Sequence, residues 1–224
     1  MLTIKLHKDS IRDALDKAVG LLDAGGIIAY PTETFYGLGV KFDMAGPLER
    51  LYELKKRPAE KAMPLIIGRR DLLPEVASGD WLAALPPAAQ ALMDGFWPGP
   101  LTLLCPAKEG LPEFLTAGTG MIAVRIPGDS FALLLAKEAG FPFTSTSANL
   151  SGFSPAVNAR QVVRHFEEGL NLLIDGGQTP GGMPSTIIDA SDAAIRLVRE
   201  GAIQWEKIER HLARSSAVQR TGNH

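Results

Sequence analysis

Apolar residues recur at helical spacing at Ile11, Ala14, Leu15, Ala18 and Leu22, and the run stops at Gly25-Gly26. This predicts an amphipathic helix with Ser10 as N-cap, Asp13 completing a capping-box-like pair, and the glycines closing it. Leu2 to Leu6 reads as a short strand before it, and the apolar run from Gly26 to Tyr30 as a buried strand after it. Pro31, Gly37 and Gly39 exclude a regular helix over 31–39, which reads as a loop leaving that strand's end. A second helix starts around Pro47, carries Leu48, Leu51, Tyr52 and Leu54, and ends in Lys55-Lys56-Arg57-Pro58. Residues 64–67 suggest a strand, and 70–96 hold helical pieces broken by Pro74, Pro86 and Pro87. Further strands are expected at 101–105, 121–126, 143–146, 171–174, 185–189 and 194–199, with helices at 129–139, 158–168 and 203–212. Alternating strands and helices give an α/β or α+β class with a mostly central sheet, and α/β is the one expected. One domain is expected over 1–214, followed by a flexible polar tail over 215–224.

Composition narrows the function classes. The chain has 224 residues, 46% of them hydrophobic, enough for a well-buried single core. Its 23 basic and 25 acidic residues nearly cancel, so any grip on nucleic acid would need a local basic patch. The one cysteine, Cys105, lies in the apolar run Leu101 to Cys105 and reads as a small core residue. The four histidines lack metal-ligand spacing, so no metal site built from protein side chains is expected. Neither a signal-peptide pattern nor a membrane-length apolar run is seen, which predicts a cytoplasmic protein without membrane contact.

Three segments could carry chemistry. Tyr30-Pro31-Thr32-Glu33-Thr34-Phe35-Tyr36-Gly37-Leu38-Gly39 sets hydroxyls, a carboxylate and glycines directly after a buried strand, where α/β sheets commonly bind ligands. Lys55, Lys56 and Arg57, with Lys61 close behind, gather cations at a proline-broken helix end; they suit a triphosphate or form a solvated face. Thr144-Ser145-Thr146-Ser147-Ala148-Asn149-Leu150-Ser151-Gly152 packs short donors and acceptors after a strand, as a ligand pocket or an ordinary loop does. Arg125 is a charge inside an apolar strand and needs an anionic partner, from substrate or from protein. Strand alternation puts it on one face with Ala123 and opposite Val124 and Ile126. A glycine-rich approach at Gly181-Gly182 leads into Ser185 and Thr186, and Arg199 ends a strand. No nucleophile–base pair can be argued, so the implied chemistry is positioning and charge stabilisation.

These segments together resemble one family, the threonylcarbamoyladenylate synthases of the YrdC-like or Sua family. The strings are YPTETFYGLG, Lys-x-Arg-Pro at Lys55 to Pro58, FWPGPLTLL from Phe96, VRIP from Val124, STSANLSG from Ser145 and PSTIID from Pro184. The resemblance implies a twisted mixed α/β sheet with a basic cleft. It implies a nucleotidyltransferase that joins L-threonine, bicarbonate and ATP, with Mg²⁺ assisting at the phosphates, to give threonylcarbamoyl-AMP and pyrophosphate. Other proteins then transfer the group to tRNA. Residue by residue, it implies catalytic roles for Lys55, Arg57 and Lys61. It implies ATP binding by Arg57, Lys61, Ser147, Asn149 and Arg199, and threonine binding by Thr32, Thr34, Arg125, Ser145 and Ser185.

The chain departs from the family pattern at Lys61-Ala62-Met63-Pro64-Leu65, at Met121, where many members have threonine, and at Pro155. It also resembles the short form of the family, without the second domain of longer members. Two other readings stand beside this one: an RNA-binding module, with at least a weak RNA contact, and a related carbamoyl-adenylate enzyme with another acceptor. The 7% aromatic content shows no stacking array for RNA.

Overall fold

The structure is a computed structural model that describes residues 1–166 and 168–221. In chain order its elements are β1 (Leu2–Lys5), α1 (Ile11–Asp23), β2 (Ile28–Pro31), β3 (Tyr36–Gly39), α2 (Ala45–Lys55), β4 (Leu65–Ile66), α3 (Gly79–Ala83) and α4 (Pro87–Phe96). There follow β5 (Leu101–Pro106), α5 (Glu113–Thr116), β6 (Met121–Arg125), α6 (Phe131–Ala139), β7 (Phe143–Thr144), β8 (Thr146–Ser147) and α7 (Ala159–His165). The chain ends in β9 (Leu172–Asp175), β10 (Thr186–Asp189), β11 (Arg196–Arg199) and α8 (Trp205–Thr221).

The helical stripe of α1 behaves as its spacing predicts. Ala14, Leu15, Ala18 and Leu22 are its buried residues, and they pack with α6 against Ile28, Tyr30, Leu172 and Ile174. Its capping box does not form. The Ser10 hydroxyl instead donates toward Lys5 O and His7 O and accepts from His7 N, closing the 3-10 turn that precedes the helix.

A single central sheet was expected, whereas the described strands divide into two mixed sheets. One has the order β1-β9-β2-β3-β8, the other β11-β10-β5-β6-β4-β7. The division has a local cause. The predicted strand over 143–146 is two short strands hinged at Ser145: β7 pairs with β4 in one sheet and β8 pairs with β3 in the other. The Ser145 amide donates to Pro64 O at the crossing. The chain therefore stitches the sheets together there and opens a cleft beside the stitch.

Residues 31–39, expected as a loop, are largely a hairpin. Pro31 pairs with Tyr36 and Ile28 with Gly39, leaving 32–35 as the turn. The glycines serve packing as well as the cleft. A Cβ at Gly39 would lie 2.9 Å from the Tyr30 ring and 3.1 Å from Phe143, so the missing side chain makes room for the ring. At the other end, Ile208 seats α8 (Trp205–Thr221) in the large core; of the tail expected over 215–224, residues 222–224 lie outside the described residues.

Candidate functional site

Alternation along three strands builds the cleft floor. Leu101, Leu103, Cys105, Ile122, Val124 and Ile188 face the large core, while Thr102, Leu104, Ala123, Arg125, Ser185 and Ile187 face a cavity of about 430 Å³. This is the size of a small-molecule site. Burial pushes the Cys105 thiol up to about 12, as suits a core residue rather than a nucleophile.

The hairpin turn supplies one wall. Thr32 Oγ1 donates to Phe35 O at 2.7 Å and accepts from the amides of Thr34 and Phe35, so it holds the turn. With its proton so used, Thr34 is the donor in their 3.1 Å contact. Thr34 then offers only acceptor lone pairs to the cavity it lines. Glu33, between them, makes a 2.5 Å ion pair with Arg125 Nη1, the two side chains being 13% and 8% exposed. Its second oxygen, Oε2, is buried without a partner. Arg125 thus has a protein carboxylate as partner and also lines the cavity.

The stitch supplies the opposite wall through Ser145, Thr146 and Ser147. Lys55 holds it from behind. Left-handed Lys56 ends α2, and Lys55, only 1% exposed, donates to Ser147 O at 2.5 Å and Asn149 O at 2.7 Å. Lys55, expected in a catalytic role, directs its side-chain nitrogen to these main-chain carbonyls and does not line the cavity, so in this structure it positions the loop. Asn149, expected on the nucleotide, uses its amide nitrogen on Leu150 O and Phe153 O and lies outside the lining. Lys61 is exposed and also outside the lining. Its carbonyl, with that of Ala62, accepts from Arg57 Nε and Nη2 at 2.8 and 2.6 Å. The cation cluster therefore resolves into a positioning lysine, an outlying lysine and one cavity arginine, Arg57. Of the sequence departures, Pro155 lines the cavity and Met121 does not.

Arg199 closes the rim. Its Nη2 donates to Ser185 O at 2.8 Å, and Ser185 Oγ accepts from Thr102 Oγ1 at 2.9 Å. The Ser185 proton is left free for another acceptor. Burial pushes Arg57 below its ordinary value, and partial burial followed by the charge of Arg125 does the same to Arg199. The lining holds three arginines, and the Glu33 carboxylate beside them is already paired with Arg125. Three arginines gathered around one cavity, only Arg125 of them buried, suit an anionic ligand.

Burial, then the Arg57 charge, pushes Lys55 down to about 7. In the unfolded chain the lysine keeps its ordinary, higher value, so between the two the unfolded state binds more protons and stability rises with pH. The folded-state penalty is fully present below about pH 7 and is relieved as pH climbs toward the ordinary lysine range. Lys55→Met abolishes this titration and leaves two carbonyls unpaired, at about 1–3 kcal/mol each. The stability gap between wild type and variant is expected to widen from pH 7 to 10 in urea titrations; a constant gap would contradict this account of Lys55.

Fold and cavity together define an α/β domain with a cationic, hydroxyl-lined cleft where two sheets are stitched. Residues 20–201 match the family model described as telomere recombination, Sua5/YciO/YrdC, and the chain belongs to that family. A Pyrococcus abyssi relative named threonylcarbamoyl-AMP synthase is 38% identical over 86% of this chain and 55% of its own length. One of the same name from Thiobacillus denitrificans is 41% identical over 78% of this chain and 89% of its own. The chain thus spans little more than half of the Pyrococcus relative but most of the Thiobacillus one. The solved structure of P. abyssi Sua5 complexed with L-threonine superposes with a TM-score of 0.85 at 33% identity, covering 94% of this chain and 60% of that one.

Proposed function

We propose that this chain is an L-threonylcarbamoyladenylate-forming nucleotidyltransferase that consumes L-threonine, bicarbonate and ATP. The observation that carries this reading is the surplus of arginine in a hydroxyl-lined cavity. The names of the relatives and the threonine complex of the Pyrococcus protein support it. In the reaction, the threonine amine and bicarbonate form a carbamate with loss of water. A carbamate oxygen then bonds to the α-phosphorus of ATP as the bond to pyrophosphate breaks.

The chain's own contribution is to bind and orient. Arg125 faces a carboxylate, Thr34, Ser145 and Ser185 face the polar groups of the amino acid, and Thr32 holds the turn that carries Thr34. Arg57 and Arg199 counter the charge of the nucleotide, with Ser147 beside them, and charge spread over the transition state is where such preorganised donors act. Lys61 stands near enough in sequence to meet the outer phosphates, and Asn149 shapes the loop under the nucleotide. Three arginines and several hydroxyls line the cavity among apolar side chains. Mg²⁺ would enter with ATP on its phosphates, whose charge it neutralises. No described helix is long and apolar enough to cross a membrane, and we place the reaction in the cytoplasm. Transfer to tRNA falls to other proteins.

The test is direct. Purified protein is incubated with ATP, Mg²⁺, bicarbonate and each amino acid in turn, and the carbamoyl-adenylate is sought by mass; its absence with threonine would refute the proposal. Arg57→Ala is expected to weaken ATP binding by about 1.5–3 kcal/mol, the scale of a charged hydrogen bond, in a folded protein. Wild-type ATP affinity by calorimetry would reduce Arg57 to a clasp for the loop at Lys61 and Ala62.

A further inference from the structure

Among the described residues, Glu33 is the acidic side chain paired with one of the cavity's arginines. Its carboxylate meets Arg125 end-on through one oxygen, and its other oxygen is buried and unpartnered. A pair kept for stability alone would gain from a second donor on that oxygen, because half-satisfied buried ion pairs are poor stabilisers. The surroundings leave space for this arrangement. Gly128 faces the side chain where a Cβ would come within 3.1 Å of Glu33 Cγ, so a larger residue there would push the carboxylate off its place. Arg125 Nη1 is spent on Glu33, and among the described residues no hydrogen bond engages its Nε or Nη2. The guanidinium is planar, so fixing one end fixes the direction of the rest.

We propose that Glu33 is a positioning residue for amino-acid recognition: it holds Arg125 so that the free edge of the guanidinium meets the substrate carboxylate in one orientation. This rests on the reaction proposed above. Glu33 acts through Arg125 and touches no substrate atom itself. Its removal therefore weakens threonine recognition while leaving the nucleotide side of the cleft, built on Arg57 and Ser147, unchanged.

The experiment is a double-mutant cycle with Glu33→Gln and Arg125→Met, reading KM for L-threonine, KM for ATP and melting temperature, with L-threonine binding to each protein measured by calorimetry. Glu33→Gln is expected to raise the threonine KM about tenfold, the effect of losing roughly one charged hydrogen bond's alignment. The ATP KM stays within about twofold, since no nucleotide contact changes. In the Arg125→Met background the same substitution adds nothing to the threonine KM, as required of a residue acting through Arg125. Glu33→Asp keeps the charge but shortens the reach, and recovers part of the loss. Two results would overturn the proposal: an unchanged threonine KM in folded Glu33→Gln, or effects of the two substitutions that simply add. If the wild-type protein binds no threonine, the proposed reaction falls and this inference with it. If it binds threonine and the series is flat, this inference alone falls.

Discussion

L-Valine is expected to support pyrophosphate release at least about 10²-fold less efficiently than L-threonine in kcat/KM, although the two side chains are nearly isosteric. Volume cannot separate them, so hydrogen bonds must. The cavity presents two groups with unmet capacity. Thr34, whose proton goes to Thr32, offers lone pairs, and Ser185, whose oxygen accepts from Thr102, offers a proton. A threonine hydroxyl both donates and accepts and can meet either. Valine would cover these groups with a methyl and leave them unpaired, and a buried unpaired group costs about 1–3 kcal/mol. Pyrophosphate release measured with each amino acid decides the matter; equal efficiency would remove threonine from the proposed reaction.

How far the sequence foretold this cleft depends on which interactions each residue answers to. Periodicity served where one partner face decides a residue's direction. The α1 stripe and the alternation of β6 both emerged as predicted, with Ala123 and Arg125 on the cavity side and Val124 in the core. Hydroxyl-rich segments after strands also came together: Thr32, Thr34, Ser145, Ser147 and Ser185 all line one cavity. What stayed hidden was set by long-range contacts. Nothing local marks Ser145 as the point where a strand leaves one sheet for another, because both halves carry strand-forming residues. The glycines of β3 resembled loop punctuation because the Tyr30 ring that needs them lies on the neighbouring strand.

Lys55 is a different case, since the signal for its burial was present in the sequence. Leu48, Leu51, Tyr52 and Lys55 fall at i, i+3, i+4 and i+7, and all four are buried on one face of α2. Read as a charge run, Lys55 belongs with Lys56 and Arg57; read by helical phase, it belongs with the core. The second reading is the one realised, because two carbonyls of the Ser147–Asn149 segment wait where its stem ends. Glu33 was noticed as an acid available to the site, but only the fold shows that it faces Arg125, 92 positions along the chain.

Arg125→Met is expected to damage stability and substrate recognition together, and the structure explains why these are not alternatives. From sequence, a partner in the protein and a partner in the substrate looked like competing fates for a buried arginine. The observed guanidinium serves both: Nη1 is held by Glu33 while the residue lines the cavity. Methionine keeps an unbranched apolar stem but is shorter than arginine, and it leaves the Glu33 carboxylate with neither oxygen paired at 13% exposure. Orphaning one member of a buried pair costs about 3–5 kcal/mol. The threonine KM should rise at least about tenfold, because a charge-assisted contact to a carboxylate is worth about 1.5–3 kcal/mol. The double variant Glu33→Gln, Arg125→Met separates the two effects. Neutralising the orphan restores most of the lost stability, while the threonine KM stays high because no guanidinium returns. Urea unfolding and threonine titrations on the single and double variants check both halves. A double variant that stays as unstable as Arg125→Met would deny that Glu33 is the source of the loss. A threonine KM at the wild-type value in either would remove Arg125 from substrate binding.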